Sequence, residues 1–99
     1  MDLILPVNGL YFFQIKAGIK QEEFRLRTAY WRKRIEGKTF DRVIVTCGYP
    51  KKTETERRLE LPWKGYTVKT ITHPHFGPDP VEVFAIDVSQ TKEENRCAP

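Results

Sequence analysis

The sequence predicts an α+β fold: a small curled sheet or barrel of about five strands, with two or three short flanking helices. Three observations point there. The predicted elements run strand, helix, strand, helix and then strands, so no regular βαβ alternation persists to build a doubly wound sheet. The strands carry little edge protection, which favours a sheet curled on itself. The 99 residues and 11.6 kDa fit one domain with one modest core. Residues 1–88 are read as that domain and residues 89–99 as a polar, frayed tail.

Residues 3–7 are an apolar run and read as the first strand. Asn8 can cap a helix by accepting a backbone N–H bond. Leu10, Phe13 and Ala17 fall at i, i+3, i+7, and Tyr11 and Ile15 at i, i+4, which predicts a helix over 9–17. Gly18 stops it, because glycine tolerates the left-handed conformation at a helix end. Residues 21–27 alternate. Glu22, Phe24 and Leu26 point to a buried face, and Gln21, Glu23, Arg25 and Arg27 to a polar, ion-paired one. Thr28 caps a second helix over 29–36, ended by Gly37, with Trp31 and Ile35 docking it and Arg32, Lys33 and Arg34 wet.

Residues 42–47 are rich in Val and Ile and read as a strand buried on both faces. A basic loop, 48–52, follows. Thr53 and Glu56 have capping-box spacing, so residues 54–59 read as a short helical turn ended by Pro62. Residues 66–72 are β-branched and strand-like. Residues 73–80 form a proline-rich loop, and 81–88 a final strand with apolar residues on both faces.

Charge narrows the function classes. The net charge of +4 is unevenly spread. Residues 16–38 hold eight Lys/Arg against three Glu, and residues 39–69 hold seven against four. Residues 70–99 hold two against five acidic residues. A basic stretch interleaved with aromatics suits a polyanion such as RNA or a nucleotide phosphate. No apolar run reaches the roughly 18–20 residues of a membrane span, and the start lacks the basic n-region of a signal peptide. Cys47 and Cys97 are too few and too far apart for a disulfide framework, which suits a reducing cytoplasm. A monomer is favoured. His73 and His75 flank Pro74 with no third ligand nearby in sequence, so no metal site is expected. No glycine-rich phosphate loop occurs, and no cofactor is implied.

The segment Gly18-Ile19-Lys20-Gln21-Glu22-Glu23-Phe24-Arg25 reads Gly-x-Lys-x-x-Glu-x-Arg. It resembles the signature of the ASCH domain family, which is similar to the PUA fold and in which the motif also follows a first strand and a first helix. The resemblance covers about residues 3–88. It implies a PUA-like barrel and a ligand that is RNA or a modified nucleoside. Some members look like ribonucleases. One branch is similar to an amidohydrolase that removes the acetyl group of N4-acetylcytidine with the motif lysine, a threonine three residues later and a downstream glutamate. Lys20 matches that lysine, but Glu23 stands at the threonine position.

Two readings of the motif follow. Lys20, Glu23 and Arg25 can converge in a cleft that binds a phosphate or base. Alternatively Glu23 is a general base with Lys20 as electrostatic stabiliser, in a ribonuclease or amidohydrolase. An ion-pair clamp at a barrel mouth is the plain structural reading. Around the motif, Arg25, Arg27, Arg32 and Lys33 are candidate phosphate contacts and Tyr30 a candidate stacking ring. Tyr49, Lys51 and Lys52 form a second candidate patch on a loop, and His73 and His75 are candidates to line the cleft or to shape a rigid loop. An adaptor that sets the basic face on an acidic protein is a third class.

Overall fold

The computed structural model describes residues 1–89, so the expected tail lies outside the described residues from position 90 on. The α+β class holds. Among the described residues there are six strands and two α-helices: β1 (Asp2–Val7), α1 (Gly9–Lys16), β2 (Glu22–Leu26), α2 (Ala29–Ile35), β3 (Arg42–Cys47), β4 (Arg58–Pro62), β5 (Tyr66–Ile71) and β6 (Val81–Asp87). Two 3₁₀ turns, Thr55–Arg57 and Pro74–Phe76, complete the order. The strands form two three-stranded sheets, β1-β3-β4 and β2-β6-β5, and these are not closed into a barrel. The expected barrel is therefore corrected. β1 pairs in parallel with β3, and β2 leaves that sheet to pair with β6. A long crossover joins each such pair, and local sequence pattern carries no information on it.

The core lies between the sheets. Leu3, Leu5 and Val7 alternate inward from β1, and Val43, Val45 and Leu61 come from β3 and β4. Phe84 and Ile86 of β6 face them, with Phe12 and Ile15 of α1 and Ile35 of α2 closing the ends. β3 and β6 are the central strands, and both are buried on both faces.

The caps form where the side chains allow. Asn8 accepts from the Tyr11 N–H at 2.8 Å, and Thr28 caps α2 through the Trp31 N–H. Gly18, at φ +80°, turns the chain out of α1. The buried face of α1 differs from the expected stripe. Phe12 and Ile15 are buried, whereas Leu10 and Phe13 are 64% and 62% exposed. Five large apolar residues surround this eight-residue helix, so spacing alone did not single out a face.

Two further corrections concern the chain after Cys47. Thr53 makes no capping box. Glu54 instead accepts from the Lys51 N–H at 3.0 Å, and a single 3₁₀ turn follows. Arg58, Glu60 and Pro62 then alternate outward from Leu59 and Leu61, which is a strand paired with β3. No helix of the described residues is long and apolar enough to cross a membrane.

Candidate functional site

A cleft of about 510 Å³ opens beside the two sheets, in the size range of small-molecule sites. Its floor is the motif. Glu23 is the buried residue of β2, only 4% exposed. This reverses the expected faces of the strand, in which Phe24 was to be buried and Glu23 wet. The carboxylate is matched in place. Arg25 Nη1 donates to Glu23 Oε2, and Lys20 Nζ stands 3.6 Å from Glu23 Oε1. Lys20 reaches this side because the turn at Gly18 is fastened to α1. The N–H groups of Ile19 and Lys20 both donate to the Gln14 carbonyl, at 2.9 and 3.1 Å.

Arg25 does more than pair. Its Nη1 also donates to the Phe24 carbonyl at 3.0 Å, and its Nη2 to the Pro6 carbonyl at 2.7 Å. Pro6 is in β1, so this one guanidinium bridges the two sheets. The Trp31 ring lies against it, 5.3 Å from centroid to guanidinium carbon. The planar fork suits several acceptors held at once.

Lys20 is placed differently. Its ammonium lies 4.9 Å from the Tyr11 ring centroid and 5.0 Å from that of Phe24. The side chain is 15% exposed and makes no hydrogen bond among the described residues. The ammonium thus sits at the cleft between the Glu23 carboxylate and two π-faces, all of which attract its charge.

The walls are aromatic. Trp31 and the 89%-exposed Tyr49 line the cleft, as do His73, His75 and Phe76 on the 3₁₀ turn before β6. Tyr49 sits on a fastened loop. The Gly48 N–H donates to Val7 O at 2.9 Å, Thr46 Oγ1 donates to Gly48 O at 2.7 Å, and Arg57 donates to Cys47 O at 2.6 Å. Gly48 has φ +68°, which favours glycine, and a Cβ there would stand 3.3 Å from the Arg57 guanidinium.

The structure therefore brings Lys20, Glu23, Arg25, Tyr49 and His73 together. The other candidates lie outside the cleft lining. Arg27 pairs with Glu36 at 2.5 Å and Glu82 at 2.8 Å, which fastens α2 to β2 and β6. Arg32 pairs with Glu36 at 3.2 Å. Tyr30 is exposed under the Arg34 guanidinium, and Lys33, Lys51 and Lys52 are exposed. Sequence reasoning missed Tyr11, Phe24 and Phe76 as lining residues, whereas His75 lines the cleft with His73. Trp31, read as a docking residue, packs partly buried against the core and also lines the cleft. The signal available for Phe76 was the His-Pro-His-Phe-Gly run, whose rings a proline-stiffened turn holds in fixed positions. Among the described residues no group of three His, Cys, Asp or Glu is placed to hold a metal ion.

The Arg27 clamp has a pH signature. The Arg27 hydrogen bond, then that from Arg32, holds the Glu36 carboxyl below its ordinary value of 4.5. A depressed carboxylate contributes stability that is present above its unfolded pKa and lost as pH falls through the folded one. Glu36→Gln is expected to lower Tm by a few degrees at pH 7, with the deficit shrinking below about pH 4. Thermal melts of both proteins across pH 2–7 check this, and a deficit unchanged with pH would contradict it.

No protein-family model, no curated protein and no solved structure matches the chain.

Proposed function

We propose that the chain is an ASCH-type domain that binds RNA or a nucleotide, taking one base into the cleft and setting phosphates on the basic surface beside it. The observation that carries this reading is the Lys20 ammonium, held by two aromatic rings and the Glu23 carboxylate at the floor of a ring-walled cleft. Stacking on such rings contributes about 1–3 kcal/mol per base. Lys33, Lys51 and Lys52 are exposed and have no ion-pair partner among the described residues, so they remain available to phosphate. The two open sheets differ from a PUA-like barrel, so the family reading rests on the motif and on its place at the cleft. A cytoplasmic setting belongs to the same proposal, on cysteine usage alone.

Hydrolysis with Glu23 as general base has less support. The carboxylate is 4% exposed and already carries two cations, Arg25 on Oε2 and Lys20 at 3.6 Å from Oε1, which leaves little room for a water to reach it.

Titration of a labelled single-stranded RNA by fluorescence anisotropy tests the proposal. Lys20→Met keeps the stem and removes the charge, and it should weaken binding about tenfold, or about 1.4 kcal/mol. The wild-type slope of log affinity against log salt should be about −0.7 per phosphate contact. No binding at low salt, or equal binding by Lys20→Met, would overturn the reading.

A further inference from the structure

We propose that the outer face of α2 carries a second nucleotide subsite beside the cleft, in which Arg34 holds the phosphate that links two nucleotides and Tyr30 stacks the neighbouring base. The ligand is then at least a dinucleotide of single-stranded RNA. This rests on reading the cleft as a base site.

The helix builds the pair by its own geometry. A long side chain in a helix leans toward the N-terminus, over the residues three and four before it. For Arg34 those residues are Trp31 and Tyr30. Its guanidinium carbon lies 5.1 Å from the Tyr30 ring centroid and 5.9 Å from that of Trp31. The two rings meet edge-on, with centroids 5.1 Å apart, so the guanidinium is held against both.

This packing orders Arg34 without using its donors. Arg25, Arg27, Arg32, Arg42 and Arg57 each hold a carboxylate. Arg34 is exposed and has neither an ion-pair nor a hydrogen-bond partner among the described residues. The acid nearest to it in sequence, Glu36, is taken by Arg27 and Arg32. A guanidinium laid on rings uses its flat face and keeps its N–H edge, a fork that matches phosphate. The rings have already restricted the side chain, so less freedom is lost when a ligand binds.

The occupant follows from charge and from continuity with the cleft. Trp31 lines the cleft and lies 5.3 Å from the Arg25 guanidinium. The same indole therefore touches Arg25 in the cleft and Arg34 outside it. A base in the cleft and a phosphate on Arg34 are one indole apart, the scale of one nucleotide step. Tyr30 is 59% exposed, which leaves ring surface for the next base. An acidic peptide would satisfy Arg34 but brings no flat base for Tyr30, and a duplex keeps its bases paired and turned inward.

Calorimetric titration with uridine and with the dinucleotide UpU tests the subsite, because UpU adds one phosphate and one base to what uridine offers the cleft. UpU should bind roughly tenfold tighter than uridine. Arg34→Gln should remove most of that gain, leave uridine binding as it is, and flatten the slope of log affinity for UpU against log salt by about 0.7. Arg34→Lys keeps the charge but loses the planar fork, and should recover only part of the gain. Tyr30→Leu should weaken UpU several-fold. Equal affinities for uridine and UpU, or a gain that persists in Arg34→Gln, would overturn the subsite while base binding in the cleft stands. Full recovery by Arg34→Lys would overturn it too, as would dimethyl phosphate or an acetylated glutamate dipeptide binding as tightly as UpU, since each shows a plain charge site. If neither uridine nor UpU binds, the cleft takes no base and this inference falls with the reading it rests on.

Discussion

Arg25→Ala is expected to destabilise the domain by about 3–5 kcal/mol, the usual cost of removing one partner from a buried ion pair. Three consequences add. The 4%-exposed Glu23 loses its hydrogen-bonded counter-charge and keeps only the more distant Lys20. The Pro6 and Phe24 carbonyls lose their donor. The bridge between β1 and β2 goes with them. At roughly 4–8 °C per kcal/mol for a domain of this size, Tm should fall by on the order of 12–40 °C. Arg25→Lys should recover only part, because one ammonium cannot span the three acceptors. Arg25→Met combined with Glu23→Gln should be more stable than Arg25→Met alone, because no buried charge is then stranded. A loss below about 1 kcal/mol for Arg25→Ala would show that the bridge is slack. Urea melts of the four variants decide it.

Phe84→Ala should cost a similar amount, about 3–5 kcal/mol, by a different route. Phe84 is fully buried on the central strand β6 and is among the largest fully buried side chains of the described residues. Its ring meets Tyr66 edge-on, with centroids 5.3 Å apart, and Tyr66 accepts the Gly37 N–H at 3.0 Å beyond the end of α2. Removal opens a cavity that β3 and α1 cannot both close. The two variants differ in function. At a temperature where each is still folded, Phe84→Ala should keep most of its RNA affinity, because Phe84 does not line the cleft. Arg25→Ala should lose it, because Glu23 and Lys20 are no longer held. A cost for Phe84→Ala below about 1.5 kcal/mol in urea would mean that the core relaxes into the space.

What the sequence disclosed and what it withheld have physical causes. Asn8 and Thr28 were legible as caps because a short polar side chain before an apolar run bonds locally, whatever the tertiary fold. The convergence at Lys20 was legible from the motif together with Gly18. Strict alternation would have sent Lys20 to the opposite face, and the glycine turn answers that objection. The face of α1 was not legible, because Leu10, Tyr11, Phe12, Phe13 and Ile15 surround it and only the sheets beneath decide which are buried. The burial of Glu23 was hidden for a related reason: a carboxylate reads as wet until its partners are known, and Pro6, which helps to hold Arg25, is 19 residues away. β4 was masked by Thr53 and Glu56, whose spacing imitates a capping box, although Leu59 and Leu61 carried the two-residue period of a strand. The parallel pairing of β1 with β3 is set across two helices and a strand of the other sheet, beyond any local pattern.

The most direct test is to map where a nucleotide binds. Uniformly labelled protein titrated with uridine 5′-monophosphate and followed by NMR reports each backbone amide and the Trp31 indole N–H. The account predicts that the largest shifts fall on Tyr11, Lys20, Phe24, Trp31 and the 73–76 turn, with Tyr49 following at the rim. Shifts confined to the outer basic residues Arg32, Lys33, Lys51 and Lys52, with the cleft silent, would contradict it.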